Sequence, residues 1–313
     1  MDIRFNTYNI SGRSANMQSF KKSKSLQNLS SINFTGKIDK TAKLLNNNKK
    51  ILPKVSFAEK FKYYKSIVLN KLSNIFTPKI SKEKAHQQVQ TLFMRPDLSM
   101  EDSLRMLNEY KELDKIKSPV KYNQAAFDMI KRNYGFSDDS TIELKYSYMR
   151  AAGAWDVFKG KVYLNVYMKR KDILAILHHE LRHALQSFIA FSEKPNEFVK
   201  GIIAKAQNLG SDKSLDNLCQ EHCGKRFDTL VKTKKGQEKL EAAILKLSKT
   251  YYGSTPVKEF EGKDKFVDRV IEAEENYVPS HMSKIKYFLN MVEVDAFNTE
   301  RKILKLLKSK IAD

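Results

Sequence analysis

The sequence predicts an α+β fold that is mostly helical, with a small antiparallel sheet placed before one long central helix. Three observations predict it: helical spacing of apolar residues over most of the chain, one central stretch rich in β-branched and aromatic residues, and a hydrophobic fraction of 41% in 313 residues. Such a chain is long and apolar enough to bury a core. No stretch reaches the roughly 18 consecutive apolar residues of a spanning helix, so an integral membrane protein is not expected.

The cysteine count and the first residues bear on the compartment. Two cysteines are too few for a disulfide framework and fit a reducing compartment. No hydrophobic core of a signal peptide follows Met1, so we expect a cytoplasmic protein or one exported by a non-classical route.

Basic charge is concentrated in the first third of the chain. Residues 1–98 contain 19 basic and 5 acidic side chains, which gives +14 of the net charge of +21. Residues 1–50 lack a helical or strand period, which predicts a disordered basic arm or, alternatively, a targeting segment. Residues 51–98 are predicted to form a basic helical segment, because apolar residues between positions 57 and 75 recur every three or four residues beside lysines. That helix fits an anionic membrane surface or an acidic partner, or else it packs on its own domain.

Residues 99–313 are predicted to form one domain that begins with two helices. Ser99 and Asp102 resemble a capping box, and Ser118 followed by Pro119 predicts the start of a second helix. Three strand-like stretches follow and predict a short antiparallel meander with a turn at 159–161; they are residues 141–148, 154–158 and 162–167. Asp172 is then a suitable N-cap for a long helix.

That long helix carries the run His179-Glu180-Leu181-Arg182-His183, which is the pattern H-E-x-x-H. Two histidines four residues apart lie on one helix face, so both imidazoles can bind one Zn²⁺. Glu180 lies beside them and can act as the general base that takes a proton from zinc-bound water. The reaction class indicated is peptide-bond hydrolysis.

The stretch from Gly160 to Asn165 and the run Leu177-His-His-Glu-Leu-Arg-His-Ala-Leu-Gln186 together resemble the zincin metallopeptidases. The resemblance implies a zinc-dependent endopeptidase with one zinc ion and a protein or peptide substrate. It also implies that an edge strand before the active-site helix pairs with the extended substrate, and residues 162–167 are the matching piece.

A catalytic zinc has three protein ligands, so a third is needed. Ile189 occupies the position of the third metzincin histidine, and residues 202–204, where thermolysin-like (gluzincin) members place a Glu, offer none. Residues 283–311 have a helical pattern that predicts one long helix. Within it, the segment from Met291 to Phe297 is similar to the E-x-x-A ending of many zincins, which makes Glu293 the predicted ligand. The alternatives that stay open are Glu197, Glu221 and Asp295.

Two departures from the zincin pattern carry expectations of their own. The separation of 110 positions between His183 and Glu293 predicts an inserted helical subdomain at about residues 193–280 that forms a wall or lid of the cleft. Phe297 stands where a histidine-orienting Asp is usual, so that support is expected from Asp295 or Glu300.

Several residues outside the predicted ligand set are candidates for other roles. His178 is expected at the surface or behind the metal face, without a function of its own, and Arg182 in a salt bridge or at the rim of the core. Cys219, His222 and Cys223 could together bind a second metal, although buried thiols are the commoner outcome. The candidates for a donor that stabilises the oxyanion are Tyr277, Tyr287 and His281.

Two classes of function remain open on the sequence alone. The first is the zinc metallopeptidase, with His179, His183 and Glu293 as ligands and Glu180 as base. The alternative is a basic protein that binds nucleic acid or a membrane surface and carries a non-catalytic metal site. A specific nucleic-acid partner is not expected, since the last 215 residues carry only +7 and no recognition motif.

Overall fold

The computed structural model describes residues 55–61, 79–149, 151–210 and 213–311. The predicted arm at residues 1–50 and most of the predicted basic helix lie outside the described residues. Of that helix, residues 57–61 are described and are helical.

The first described part of the domain consists of a short strand and three helices. These are β1 (Lys79–Ile80), α1 (Lys82–Phe93), α2 (Met100–Leu113) and α3 (Pro119–Asn133). Ser99 caps α2 by accepting from the amide of Asp102 at 3.0 Å, and Ser118 caps α3. Both predicted helix starts are confirmed, because a capping serine is a signal confined to a few neighbouring residues.

The sheet has three strands, β2 (Glu143–Ser147), β3 (Gly153–Asp156) and β4 (Lys161–Asn165), in the order β2-β4-β3. Strand β4 is antiparallel to β3 but parallel to β2, so the predicted antiparallel meander is wrong for one of its two pairings. The loop between β2 and β3 crosses the end of β4. The Asn165 side chain holds it there by donating to the carbonyls of Met149 and Ala151.

Helix α4 (Arg170–Glu193) runs through the centre of the domain. Its N-cap is Lys169 rather than the predicted Asp172, which lies in the first turn, where its charge favours the helix dipole. The sheet packs on α4, and the indole of Trp155 donates to the Ser187 hydroxyl at 3.2 Å.

The predicted insertion at 193–280 is helical in the structure. It contains α5 (Pro195–Leu209), α6 (Lys213–Cys223), α7 (Phe227–Leu230), α8 (Lys234–Tyr252) and α9 (Lys263–Glu275). Phe198, Leu240 and Val267 lie in the same hydrophobic core as α4. The insertion therefore shares the core of the domain rather than forming one of its own.

The chain ends in α10 (Lys284–Leu289), α11 (Met291–Lys308) and β5 (Lys310–Ile311), which is parallel to β1. The prediction of one helix over residues 283–311 is wrong, because the backbone is extended at Asn290. The Asn290 side chain accepts from the amide of Val292 at 3.0 Å and donates to the carbonyl of Ala273 at 2.9 Å. After this break, α11 packs against α4.

The described residues from Phe57 onward form one unit. Leu92 and Phe93 of α1 lie in its core, and Arg182 donates to the carbonyl of Leu92 at 2.9 Å. Helix α1, which precedes the predicted boundary at residue 99, thus packs into the same core as α4. In the described part of the chain, none of the helices has the length and hydropathy needed to cross a bilayer.

Candidate metal site

Helix α4 presents His179 and His183 side by side toward α11. One helical turn separates them, and their Nε2 atoms are 3.2 Å apart. The two rings meet nearly edge to face, at 81°. Both side chains are almost completely buried, so neither is a surface histidine that happens to lie near the other.

Glu293 reaches the same point from the first turn of α11. Its Oε2 atom lies 3.4 Å from Nε2 of His179 and 3.6 Å from Nε2 of His183. The structure thus brings together the two predicted histidines and the predicted third ligand, although His183 and Glu293 are 110 positions apart in sequence.

The three atoms have the spacing of a metal-coordination shell. Bonds of 2.0–2.1 Å in a tetrahedral shell place ligand atoms about 3.3–3.4 Å apart, and the three separations found are 3.2, 3.4 and 3.6 Å. Among the described residues, Oε2 of Glu293 is buried without a hydrogen-bond partner, which a buried carboxylate oxygen rarely tolerates. The buried group of His179, His183 and Glu293 can therefore bind a metal ion.

The three alternative ligands lie elsewhere. Glu197 and Glu221 are largely exposed, with side-chain exposures of 65% and 76%. Asp295 instead forms a two-pronged ion pair with Arg182, at 2.6 and 3.0 Å. The salt bridge predicted for Arg182 is therefore present.

A hydrogen-bonded chain fixes the ring of His183. Nδ1 of His183 donates to Oε1 of Gln186 at 2.9 Å, and Nε2 of Gln186 donates to Asp295 at 2.7 Å and to the carbonyl of Val292 at 3.0 Å. Because both partners of Gln186 Nε2 are acceptors, the amide orientation is determined. Nε2 of His183 is left with its lone pair facing Glu293, which is the tautomer that a metal ligand needs.

His179 is surrounded by carboxylates. Its Nδ1 lies 3.4 Å from Oε2 of Glu300, at a distance of ion pairing but without hydrogen-bonding geometry. Burial alone lowers the pKa of His179, but the carboxylates of Glu293 and Glu300 outweigh it and raise that pKa to about 10. Burial in turn raises the pKa of Glu293, yet the neighbouring histidines hold it well below its usual range. In the absence of metal the two groups thus form an imidazolium–carboxylate pair.

Glu180 lies buried beside this group. Its Oε1 has no hydrogen-bond partner among the described residues, and burial raises the pKa of its carboxyl. Strand β3 passes so close that a Cβ atom at Gly153 would lie 2.9 Å from Oε1 of Glu180 and 2.7 Å from Ile176. Only glycine allows the strand to approach the carboxylate in this way.

A small cavity of about 20 Å³ adjoins the group, which is room for roughly one water molecule. It is lined by Trp155, Val157, His183, Lys205, Glu274, Tyr277, Val292 and Glu293. Lys205 and Glu274, which form a 2.6 Å ion pair, belong to the predicted insertion at 193–280. The insertion thus supplies one wall of the cavity.

The three candidate donors differ in position. The Tyr277 hydroxyl donates to Oε1 of Glu293 at 3.4 Å, so it orients the carboxylate. Tyr287 is fully buried nearby, and its hydroxyl has no hydrogen-bond partner among the described residues. His281 is exposed and is not part of this group.

The remaining candidates from the sequence are the two cysteines with His222, and strand β4. Cys219 and Cys223 are buried thiols in the core, and burial raises the pKa of Cys219 to about 12. With the partly exposed His222 they form no cluster of metal-ligand atoms in the described part of the chain. Strand β4, predicted to lie at the edge that pairs with the substrate, is the central strand, and β2 and β3 are the two edge strands of this sheet.

Sequence reasoning also missed the role of Gln186. It follows His183 by three residues and Arg182 by four, so the helical spacing that found the histidines could have found it.

Comparison with protein families, with curated proteins and with solved structures gives no match to this chain.

Proposed function

We propose that this protein is a zinc-dependent metallopeptidase of the zincin type, acting on a protein or peptide substrate. The observation that carries the proposal is the near-tetrahedral spacing of the His179, His183 and Glu293 ligand atoms beside Glu180, whose buried Oε1 has no hydrogen-bond partner among the described residues. Two histidines and one glutamate form a ligand set of catalytic zinc, which leaves a coordination position open. When bound, one Zn²⁺ supplies a Lewis acid that polarises a carbonyl group and lowers the pKa of water.

Glu180 is the proposed general base. Its carboxylate is adjacent in sequence to a ligand, and no described side chain competes for Oε1. A carboxyl whose pKa is raised by burial both takes up and returns a proton more readily near neutral pH than an ordinary Glu. Glu180 therefore holds the proton on its way from the attacking water to the leaving amine.

Strand β3 is the proposed substrate edge. The backbone amide of Asn165 donates to the carbonyl of Ala152 at 3.0 Å. Along an antiparallel ladder, hydrogen-bonded residues alternate with residues whose N–H and C=O groups face the other way. Gly153 and Trp155 therefore direct their backbone N–H and C=O groups away from β4. An extended peptide can pair with these groups with little regard to its own side chains, and Glu180 lies directly behind Gly153.

Zinc analysis tests the metal site first. Purified protein should contain about one zinc per chain, and both His183→Ala and Glu293→Ala should lose it. Glu197→Ala is the matched control, because Glu197 is exposed, and it should keep full zinc. A wild-type protein that takes up no zinc even after reconstitution contradicts the proposal.

Hydrolysis of a peptide library tests the base. Glu180→Gln should retain zinc but cleave about 10²–10⁴-fold more slowly, whereas Glu221→Gln should cleave like the wild type. Equal cleavage by wild type and Glu180→Gln would exclude Glu180 as the base. Cleavage that persists without zinc would exclude the mechanism as a whole.

A further inference from the structure

The two ends of the described domain meet at one corner. Strands β1 and β5 are parallel, with Lys79 opposite Lys310 and Ile80 opposite Ile311. Helix α1 begins directly after β1, and α11 ends directly before β5. The first turn of α1 and the last turns of α11 therefore lie next to the same two-stranded ladder.

Lysines dominate this corner. Seven of them lie on β1, the first turn of α1, the second half of α11 and β5; they are Lys79, Lys82, Lys84, Lys302, Lys305, Lys308 and Lys310. We call this set the lysine corner. Glu83 is the one acidic residue in segments 79–84 and 302–310. All seven lysines are exposed or half-exposed.

The arrangement of the lysine corner opposes folding electrostatically. Lys79 and Lys310 face each other across the ladder, where like charges repel. Lys82 and Lys84 stand in the first turn of α1, at the positive end of its dipole. An anionic surface outside the chain would relieve both repulsions at once.

We propose that the lysine corner docks this protein on an anionic membrane surface. Segments 79–84 and 302–310 contain lysines but no arginine, and lysine acts as a point charge suited to a diffuse anionic layer. Arginine, whose planar fork binds phosphates two at a time, is the residue preferred for nucleic acid.

The sequence that leads into the corner favours the same partner. Residues 57–75 carry an apolar stripe beside lysines, the pattern of a helix that lies in a membrane interface. At its described start, Phe57 and Phe61 are 85% and 60% exposed. A phosphodiester backbone has no apolar surface that could bury an apolar stripe. The boundary of headgroups and acyl chains can bury it.

Vesicle binding by the full chain tests the proposal. Sedimentation with phosphatidylcholine vesicles containing about 30% phosphatidylserine should capture the protein, and pure phosphatidylcholine should not. Raising the salt from about 0.05 M to about 0.5 M should release it. The corner variant replaces Lys302, Lys305, Lys308 and Lys310 by Ala, and it should bind at least about tenfold more weakly.

The matched control replaces four exposed lysines of α8 by Ala, namely Lys234, Lys235, Lys246 and Lys249. Wild type, corner variant and control all keep the basic N-terminal region, so a difference between the two variants reports the corner. Circular dichroism establishes that both variants are folded. The control should bind vesicles like the wild type.

Two results would overturn the proposal. One is equal loss, or no loss, of vesicle binding in the corner and α8 variants. The other is salt-sensitive binding to a single-stranded RNA or duplex DNA oligonucleotide without vesicle binding, which would assign the lysines to nucleic acid instead. The readout involves no metal and no hydrolysis, so it is independent of the proposed peptidase activity.

Discussion

His178 and His179 are neighbours on α4, are equally buried, and have opposite surroundings. His178 lies among the rings of Phe93, Tyr110 and Tyr134, and its Nε2 is 2.9 Å from the Tyr110 hydroxyl. Burial there lowers the pKa of His178 to about 3. On the other side, the carboxylates around His179 outweigh burial and raise its pKa to about 10.

Burial alone therefore does not decide what a histidine can do. Exposures of 0% and 1% go with a neutral imidazole on one side of α4 and a cationic one, in the absence of metal, on the other. The nearest charges account for the difference. The aromatic side anchors the helix, whereas the carboxylate side offers a set of metal ligands.

Replacing each of the two histidines by phenylalanine tests the two sides of α4 directly. His179→Phe should abolish zinc binding, because the site loses one of three ligands. His178→Phe should keep about one zinc per chain, because the side chains around position 178 are already aromatic rings. The zinc content of both purified variants tests this prediction. Equal zinc content in the two variants would contradict the assignment of metal binding to the His179 side of α4 alone.

The next effect concerns the chain of hydrogen bonds behind His183. Gln186→Leu removes the acceptor of Nδ1 at little change in volume, and zinc affinity should fall about 10- to 100-fold. Gln220→Leu, on the exposed face of α6, is the control and should leave it unchanged. Competition with a chromophoric chelator measures both, and an unaltered affinity in Gln186→Leu would remove Gln186 from the site.

Zinc binding and stability should also depend on pH. The folded, metal-free pKa of His179 lies above its ordinary value, so its ion pair with Glu293 stabilises the metal-free protein fully below about pH 6.5. That stabilisation is lost as the pH rises through about 10. Zinc needs the neutral imidazole, so apparent zinc affinity should rise about tenfold per pH unit within this window.

Chelator competition at three pH values from about 6.5 to 8.5 measures this slope. The metal-free protein should at the same time unfold at slightly lower urea concentration as the pH rises. A zinc affinity that does not change with pH would show that no proton leaves the site on binding.

The smallest effect lies on the aromatic side. Tyr110→Phe removes the hydroxyl that bonds His178, and the free energy of unfolding should drop by about 1 kcal/mol, the net value of one buried hydrogen bond. Urea unfolding measures it. Zinc content should not change, and its loss would show that the two sides of α4 are coupled.

Local signals in the sequence predicted much of this structure. The caps at Ser99 and Ser118 and the pairing of His179 with His183 depend on residues three or four apart, so each can be recognised within one helical turn. The prediction of Glu293 as a ligand depends on a short pattern that resembles the zincins, not on helical spacing or capping. Its place beside the histidines depends on the packing of α11 against α4.

The order of the strands could not be predicted in the same way. Alternation shows which residues face the core, but it does not specify which strands pair. Here the crossing of the β2–β3 loop is held by the side chain of Asn165, whose partners are known only from the fold. The exchange of β4 for β3 at the sheet edge follows from that one loop.

His178 shows a limit of amphipathic patterns. The helical wheel places it away from the metal face, which predicts a position at the surface or behind that face. In the structure α4 is covered on that side too, by α1, α2 and α3, and residues 176–191 are all buried. A helix buried on all sides has no solvent face to which the pattern could refer.

The parallel pairing of β1 with β5 also makes the described domain nearly cyclic. Ile311 lies opposite Ile80, so a linker of about four residues could join residue 311 to residue 79. A new chain start between Gly224 and Lys225, both exposed, would leave α4, α11 and the strands uncut. A circularly permuted protein of this kind would carry its termini in the insertion, away from the junction between β5 and β1.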